Sequence, residues 1–405
     1  MVIILYLLFH YFSQADLYGE FILTNEVGSF IPPKISFSSR LKRKRSLLFL
    51  ENYNKIILYS EGIFKPLIFD IQGKYLGYLE TSFYYAQKIN YQKKEIIVVS
   101  FGNSLGFYTL KNKTLSLYRK LLINEYIEDF DIFKKDNNSF FIILSCCDKK
   151  ENKIKIYNQN FKLISEKIVK EKFLINNLFD TLILGIKKDL KKIVLWDINL
   201  KTLWEFSLKD LLITDYTVNE SILIIATSDV NQEKGILYFL SYKNGKILET
   251  FPFGSFYSFG FSSVKVSDID NDNEKEILAS TGGKKGEVFI LKSSKEKLII
   301  KKKRIFHSLL SLANLTNILI LETDDFIYDK DKNKELLLLI TYQQKTNPPF
   351  LNNFISGQIL LVDNKLKDIA DLDLNFPIKD FLIVNKKNKK ESVLVLLSEK
   401  LKFYE

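Results

Sequence analysis

Apolar residues in this chain come in short runs set apart by lysine, asparagine and aspartate, and no long stretch repeats them at the spacing of an amphipathic helix. Short runs rich in Ile, Val and Leu predict strands. Eight of them look alike: "KIILYS" from Lys55, "KEIIVVS" from Lys94, "SFFIILS" from Ser139, "TLILGI" from Thr181, "SILIIATS" from Ser221, "EILAST" from Glu276, "ELLLLITY" from Glu335 and "SVLVLLS" from Ser392. Their starts lie roughly 40 to 60 residues apart, the period of propeller blades rather than of helical solenoids.

After each run come a second strand, a tight turn with Asn or Gly, and a third strand, as in "PLIFDIQGKYLGYLE" (Pro66–Glu80), "KIVLWDINLKTLWEF" (Lys192–Phe206) and "GQILLVDNKLKDIADL" (Gly357–Leu372). Gln72-Gly73 and Asn244-Gly245 read as hairpin turns. The unit is thus an inner strand, a central apolar strand and an outer hairpin. Radial repetition of such a unit leaves only short exposed edges. The pattern predicts an all-β fold, a β-propeller of about eight four-stranded blades, or seven if one copy is misread. The last copy, Pro377 to Glu405, has room for three strands, so the N-terminal run "LYGEFIL" (Leu17–Leu23) is expected to complete it.

One inner-to-central connection carries acids. In "VSDIDNDNEKEILASTGG" (Val266–Gly283), Asp268, Asp270 and Asp272 fall at loop positions one, three and five, Glu274 at seven and Glu276 at nine. Alternate residues wrapping a point can supply the six to eight oxygens that Ca²⁺ takes, and carboxylates this close repel one another without a counter-ion. An EF-hand would need Glu at position twelve, which is Ala279. The next copy carries a weaker set, Asp329, Asp331, Asn333 and Glu335, with Ile327 at position one. "YQKKEIIVVS" keeps only Glu95, so the glutamate before the central strand is read as partly structural.

The stretch "VSDIDNDNEKEIL" resembles the FG-GAP or VCBS repeats of integrin-like propellers and of many exported bacterial proteins, and "GILYFLSYKNGKILETF" (Gly235–Phe251) is similar to the outer hairpins of quinoprotein-like propellers. The first resemblance implies one Ca²⁺ in the Asp268–Glu276 loop. It departs from the pattern at Asn273, which stands where glycine is usual; Asn also visits left-handed backbone conformations.

Composition refines this picture. With 405 residues, 46% of them hydrophobic, the chain has ample material for a large core. Its net charge of +11 invites a polyanion, but only five of 59 basic residues are Arg, and phosphate readers lean on Arg forks. Nucleic acid is therefore not expected. Residues 1–15 combine an apolar run (Val2–Phe12) with Ser13-Gln14-Ala15, the pattern of a removed signal peptide too short to span a bilayer, although no Lys or Arg precedes the run. Residues 16–405 are read as one domain without a transmembrane segment. Cys146 and Cys147 are adjacent, which on a strand points them to opposite faces.

The remaining candidates have plain readings. "RLKRKR" (Arg40–Arg45) is a patch that guards against aggregation, Trp196 and Trp204 pack across one hairpin, and the insertion Asn347–Gly357 is a rim loop open to partners. Once the signal is removed His307 is the sole histidine, and no Ser–His–Asp set, zinc-ligand spacing or phosphate-binding glycine loop is visible. The expected function is that of an exported, periplasmic or secreted, calcium-stabilised monomeric propeller that binds protein partners or acts as a scaffold in the cell envelope. The alternatives are a quinoprotein-like dehydrogenase, a channel-site hydrolase or lyase, and a polyanion-binding propeller.

Overall fold

The computed structural model describes residues 23–27, 47–59, 65–79, 85–92, 94–111, 114–136, 139–148, 151–178, 181–229, 234–254, 258–283, 285–294, 297–307, 314–326, 333–344, 353–375, 378, 380–386, 391–397 and 401–404. Apart from one 3-10 turn at Glu51–Tyr53, their regular structure is β-strand. The strands form six four-stranded antiparallel sheets and one of eight. Five of the six, 47–78, 85–122, 126–169, 173–207 and 211–254, are simple meanders. The eight-stranded sheet resolves into two more, 258–307 and 314–374, joined through the pairs Gly282–Asn317 and Gly283–Thr316. The remaining sheet holds Asp380–Lys386, Glu391–Leu397 and Leu401–Tyr404, with Leu23–Val27 added antiparallel to Leu401–Tyr404. This is an all-β propeller.

Each of the eight predicted apolar runs is the second strand of its meander, flanked on both sides by hydrogen-bonded neighbours. Such a strand buries both faces, which is why it reads as continuous rather than alternating hydrophobicity. In Glu276–Gly283 every residue is buried. Seven of eight apolar clusters each span two meanders consecutive in the chain, as where Ile96, Val98 and Phe107 meet Phe130, Ile142 and Leu144. The eighth joins the first to the last: Leu47, Ile56 and Leu58 pack on Val384 and Leu401.

Side-chain-to-backbone bonds tie the first strands of neighbouring meanders. Asp129 accepts the Ile175 N–H at 2.8 Å, Asp131 the Asn177 N–H at 2.8 Å, Asp215 the Val264 N–H at 2.9 Å and Ser263 the Ile320 N–H at 3.2 Å. Asp129, Asp215 and Ser263 each directly follow a register shift in their strand. A bulge re-aims the side chain that follows it, here toward the neighbouring blade.

The outer hairpins share a five-residue turn. Asp70, Asn158, Asp197 and Asp363 each accept the N–H groups two and four residues on, for example Asn199 at 2.9 Å and Lys201 at 2.8 Å onto Asp197 Oδ1. The fourth residue takes a left-handed φ: 80° at Gly73, 63° at Phe161, 61° at Leu200 and 63° at Leu366. Leu200 and Leu366 are buried, and that burial offsets backbone strain which a glycine would not incur.

The structure differs from the sequence reading in three places. Trp196 and Trp204 do not pack on each other: a register shift sets Trp204 opposite Leu195 and Trp196 opposite Thr202, so the two indoles leave opposite faces. Trp196 meets Phe173 edge-on at 5.2 Å, while Trp204 packs in the next cluster and donates its indole N–H to the Tyr242 carbonyl at 2.6 Å. Residues 353–357, expected in a rim loop, begin the strand Asn353–Val362. The N-terminal strand is Leu23–Val27, which shares only Leu23 with the expected run. Residues 1–22, Arg40–Arg45 and 347–352 lie outside the described residues, as does the side chain of His307. Among the described residues no helix is long and apolar enough to cross a membrane.

Candidate metal centre

The acidic loop connects the strand Ser258–Ser267 to the fully buried strand Glu276–Gly283. Asn271 and Asn273 hold φ of 54° and 67°, so the Asn at the glycine position does adopt the left-handed conformation the turn requires. The turn is laced by its own carboxylates. Asp268 Oδ2 accepts the Asn273 N–H at 3.1 Å, Asp272 Oδ1 the Glu274 N–H at 2.8 Å, and Glu276 Oε2 the Ile269 N–H at 3.2 Å. Ile269 in turn accepts the Lys334 N–H at 2.9 Å, coupling this loop to its counterpart in the next meander.

Of the five predicted ligands, three converge. Oxygens of Asp268, Asp270 and Glu276 lie within 4.8 Å of one another. Asp272 and Glu274 turn outward onto Lys292, at 2.7 and 2.8 Å. That hydrogen bond holds the Asp272 carboxyl below the usual range and pushes Lys292 up. Within the converging set, Lys301 lies 2.5 Å from Asp270 Oδ2 and 3.0 Å from Glu276 Oε1. Burial works against its charge, yet these two carboxylates keep its pKa above the usual lysine value.

Asp268 Oδ1 and Asp270 Oδ1 are buried and accept no hydrogen bond. Buried carboxylate oxygens without a donor are costly, and a hard cation is a chemically matched remedy. The donor set therefore fits Ca²⁺, with Asp268, Asp270 and Glu276 as holders and Lys301 as the internal cation competing for two of them.

In the weaker candidate set Asp329 and Asp331 lie outside the described residues, whereas Glu335 is buried and accepts the Phe326 N–H at 2.7 Å. Glu95 does similar work across a meander boundary, accepting the Glu51 and Asn52 N–H groups at 3.1 and 3.2 Å, with Lys88 at 3.5 Å. Its burial raises its pKa, against the pull of Lys88. The glutamate before the central strand is thus a turn fastener in three meanders. Sequence reasoning missed Lys292 and Lys301: the outer hairpin changes register between Ile290 and Leu291, so spacing alone could not aim those lysines at the loop.

Cys146 and Cys147 are both free and take opposite faces of their strand. Cys146 packs in an apolar cluster, where burial pushes its thiol up to about 12. Cys147 instead donates to Glu128 Oε1 at 3.1 Å.

No family model matches the chain, and no curated protein matches it. Solved structures do. The computationally designed Ika8 protein is similar over 93% of this chain and 99% of its own, at 11% identity and a TM-score of 0.55. The Dos1 propeller is similar over 92% and 94%, at 10% identity and TM-score 0.48. BBS1N, solved in complex with ARL6DN, is similar over 95% and 97%, at 10% identity and TM-score 0.47. At such identities the likeness is one of fold alone.

Proposed function

We propose that the chain is an exported, eight-bladed propeller of FG-GAP or VCBS type that binds protein partners or acts as a scaffold in the cell envelope, with one Ca²⁺ in the Asp268–Glu276 loop. The observation that carries the binding reading is the apolar perimeter. Outermost strands expose Leu117, Leu122, Ile168, Leu248 and Ile299, with Leu122 at 70% and Ile168 at 60% of full exposure. Exposed apolar side chains along sheet edges are a liability for an isolated protein and an asset for one that is covered. The eight inter-meander clusters and the Leu23–Val27 pairing support eight blades closed by the N-terminal strand. Export rests on the apolar run Val2–Phe12 followed by Ser13-Gln14-Ala15.

Two experiments test this reading. Native protein recovered from envelope extracts is expected to begin at Asp16 and to carry a stoichiometric protein partner; a free monomer with an intact Met1 would sink it. Calcium is expected to raise the melting temperature of the wild type and not of Asp270→Ala. Identical melting curves in chelator and in Ca²⁺ would remove the metal from the account.

A further inference from the structure

Between the meanders 173–207 and 211–254 lies a cleft of about 730 Å³, a volume suited to a drug-sized group or a few residues of peptide. Its wall is the end of the outermost strand Thr202–Ser207, contributed by Phe206 and Ser207, and the facing hairpin contributes Tyr238, Pro252 and Phe253. Phe206 and Tyr238 meet edge-on at 5.2 Å and present apolar surface to the opening. Lys209 and Lys234, both exposed, also line it, and among the described residues neither is engaged in an ion pair; Asp210 is the one acid in the lining.

These features converge on one occupant. Thr202–Ser207 pairs only with Lys192–Asp197, so its other edge offers backbone donors and acceptors to an incoming strand. Aromatic walls reward alternate apolar side chains, and two lysines without an ion pair among the described residues, against one aspartate, favour acidic ones between them. We infer that this cleft binds an extended acidic and aromatic peptide segment of a partner protein, which adds a strand to Thr202–Ser207 while its carboxylates meet Lys209 and Lys234. The inference rests on the protein-binding reading and names the partner's chemistry.

The test uses the full chain and a fluorescein-labelled peptide, EFELEV, with KFKLKV as its charge-inverted control. EFELEV is expected to bind in the micromolar range, to weaken as salt rises, and to slow amide exchange within Thr202–Ser207. The double variant Lys209→Glu/Lys234→Glu and the cleft-filling Gly254→Trp, all at exposed positions, are each expected to weaken it at least about tenfold. No binding, equal binding of KFKLKV, or unchanged affinity in both variants overturns the assignment. Recovery of the native partner separates the two claims. A partner retained equally by wild type and both variants leaves the protein-binding reading standing and removes the cleft. Absence of any partner removes that reading, while the peptide titration still judges the cleft.

Discussion

Lys301 stands where two chemistries compete. Its ammonium neutralises Asp270 and the fully buried Glu276, so it supplies part of what a metal would supply. Lys301→Met is expected to lower the melting temperature in chelator and to enlarge the rise on adding Ca²⁺, because the carboxylates then face each other with no cation between them. A smaller rise than in wild type would show that the lysine assists the ion rather than competes with it. Glu128 gives a pH signature. Burial raises its pKa, but hydrogen bonds from Lys172, Lys188 and the Cys147 thiol bring it down to about 2. A carboxyl whose folded pKa is depressed adds stability that is present above its unfolded value of 4.5 and is lost as pH falls through about 2. The melting-temperature gap between wild type and Glu128→Gln should therefore be constant at neutral pH and close as pH falls from 4.5 toward 2. At this scale the sequence displayed the acids plainly, because Asp268, Asp270 and Glu276 share one short loop. It hid their lysines, whose aim depends on pairing across a bulged hairpin.

At the scale of the element, central strands were legible and inner strands were not. A strand buried on both faces announces itself as an unbroken apolar run, as Ile96–Val99 does. The inner strands owe their placement to single polar residues whose partners lie one blade away, Asp129 to Ile175 and Asp215 to Val264, and no local pattern reveals such a bond. Asp215→Ala should leave the buried Val264 N–H without an acceptor and cost about 1–3 kcal/mol in denaturant titrations, while Asp215→Asn should recover part of it. Equal loss in both variants would point to charge rather than to the hydrogen bond. The outer turn was half legible. "DIQGK", "NQNFK", "DINLK" and "DNKLK" align once the leading Asp or Asn is known to cap the turn, yet only the first displays the glycine that its left-handed position favours.

For the whole molecule, repetition carried the prediction. A period of roughly 40 to 60 residues indicated the architecture, and the N-terminal strand was expected beside the last three. The register of that strand, Leu23–Val27 against Leu401–Tyr404, had no sequence signal because the strand is short. Removing residues 1–27 should bare the edge of Leu401–Tyr404, lower the melting temperature and produce light-scattering aggregates. A truncated chain as stable and as monodisperse as the parent would show that the pairing is dispensable.

That pairing also sets an order of events during synthesis. Successive meanders can form as they emerge, since each pairs strands that are adjacent in the chain. The sheet containing Leu23–Val27 cannot, because its partner strand Leu401–Tyr404 lies far along the chain. Its first strand waits until Leu401–Tyr404 has been made, and a contact spanning that much chain is among the slowest to form. A ribosome stalled short of Leu401 would hold seven meanders and an unpaired first strand, a state that a holdase chaperone could recognise and a protease could clear.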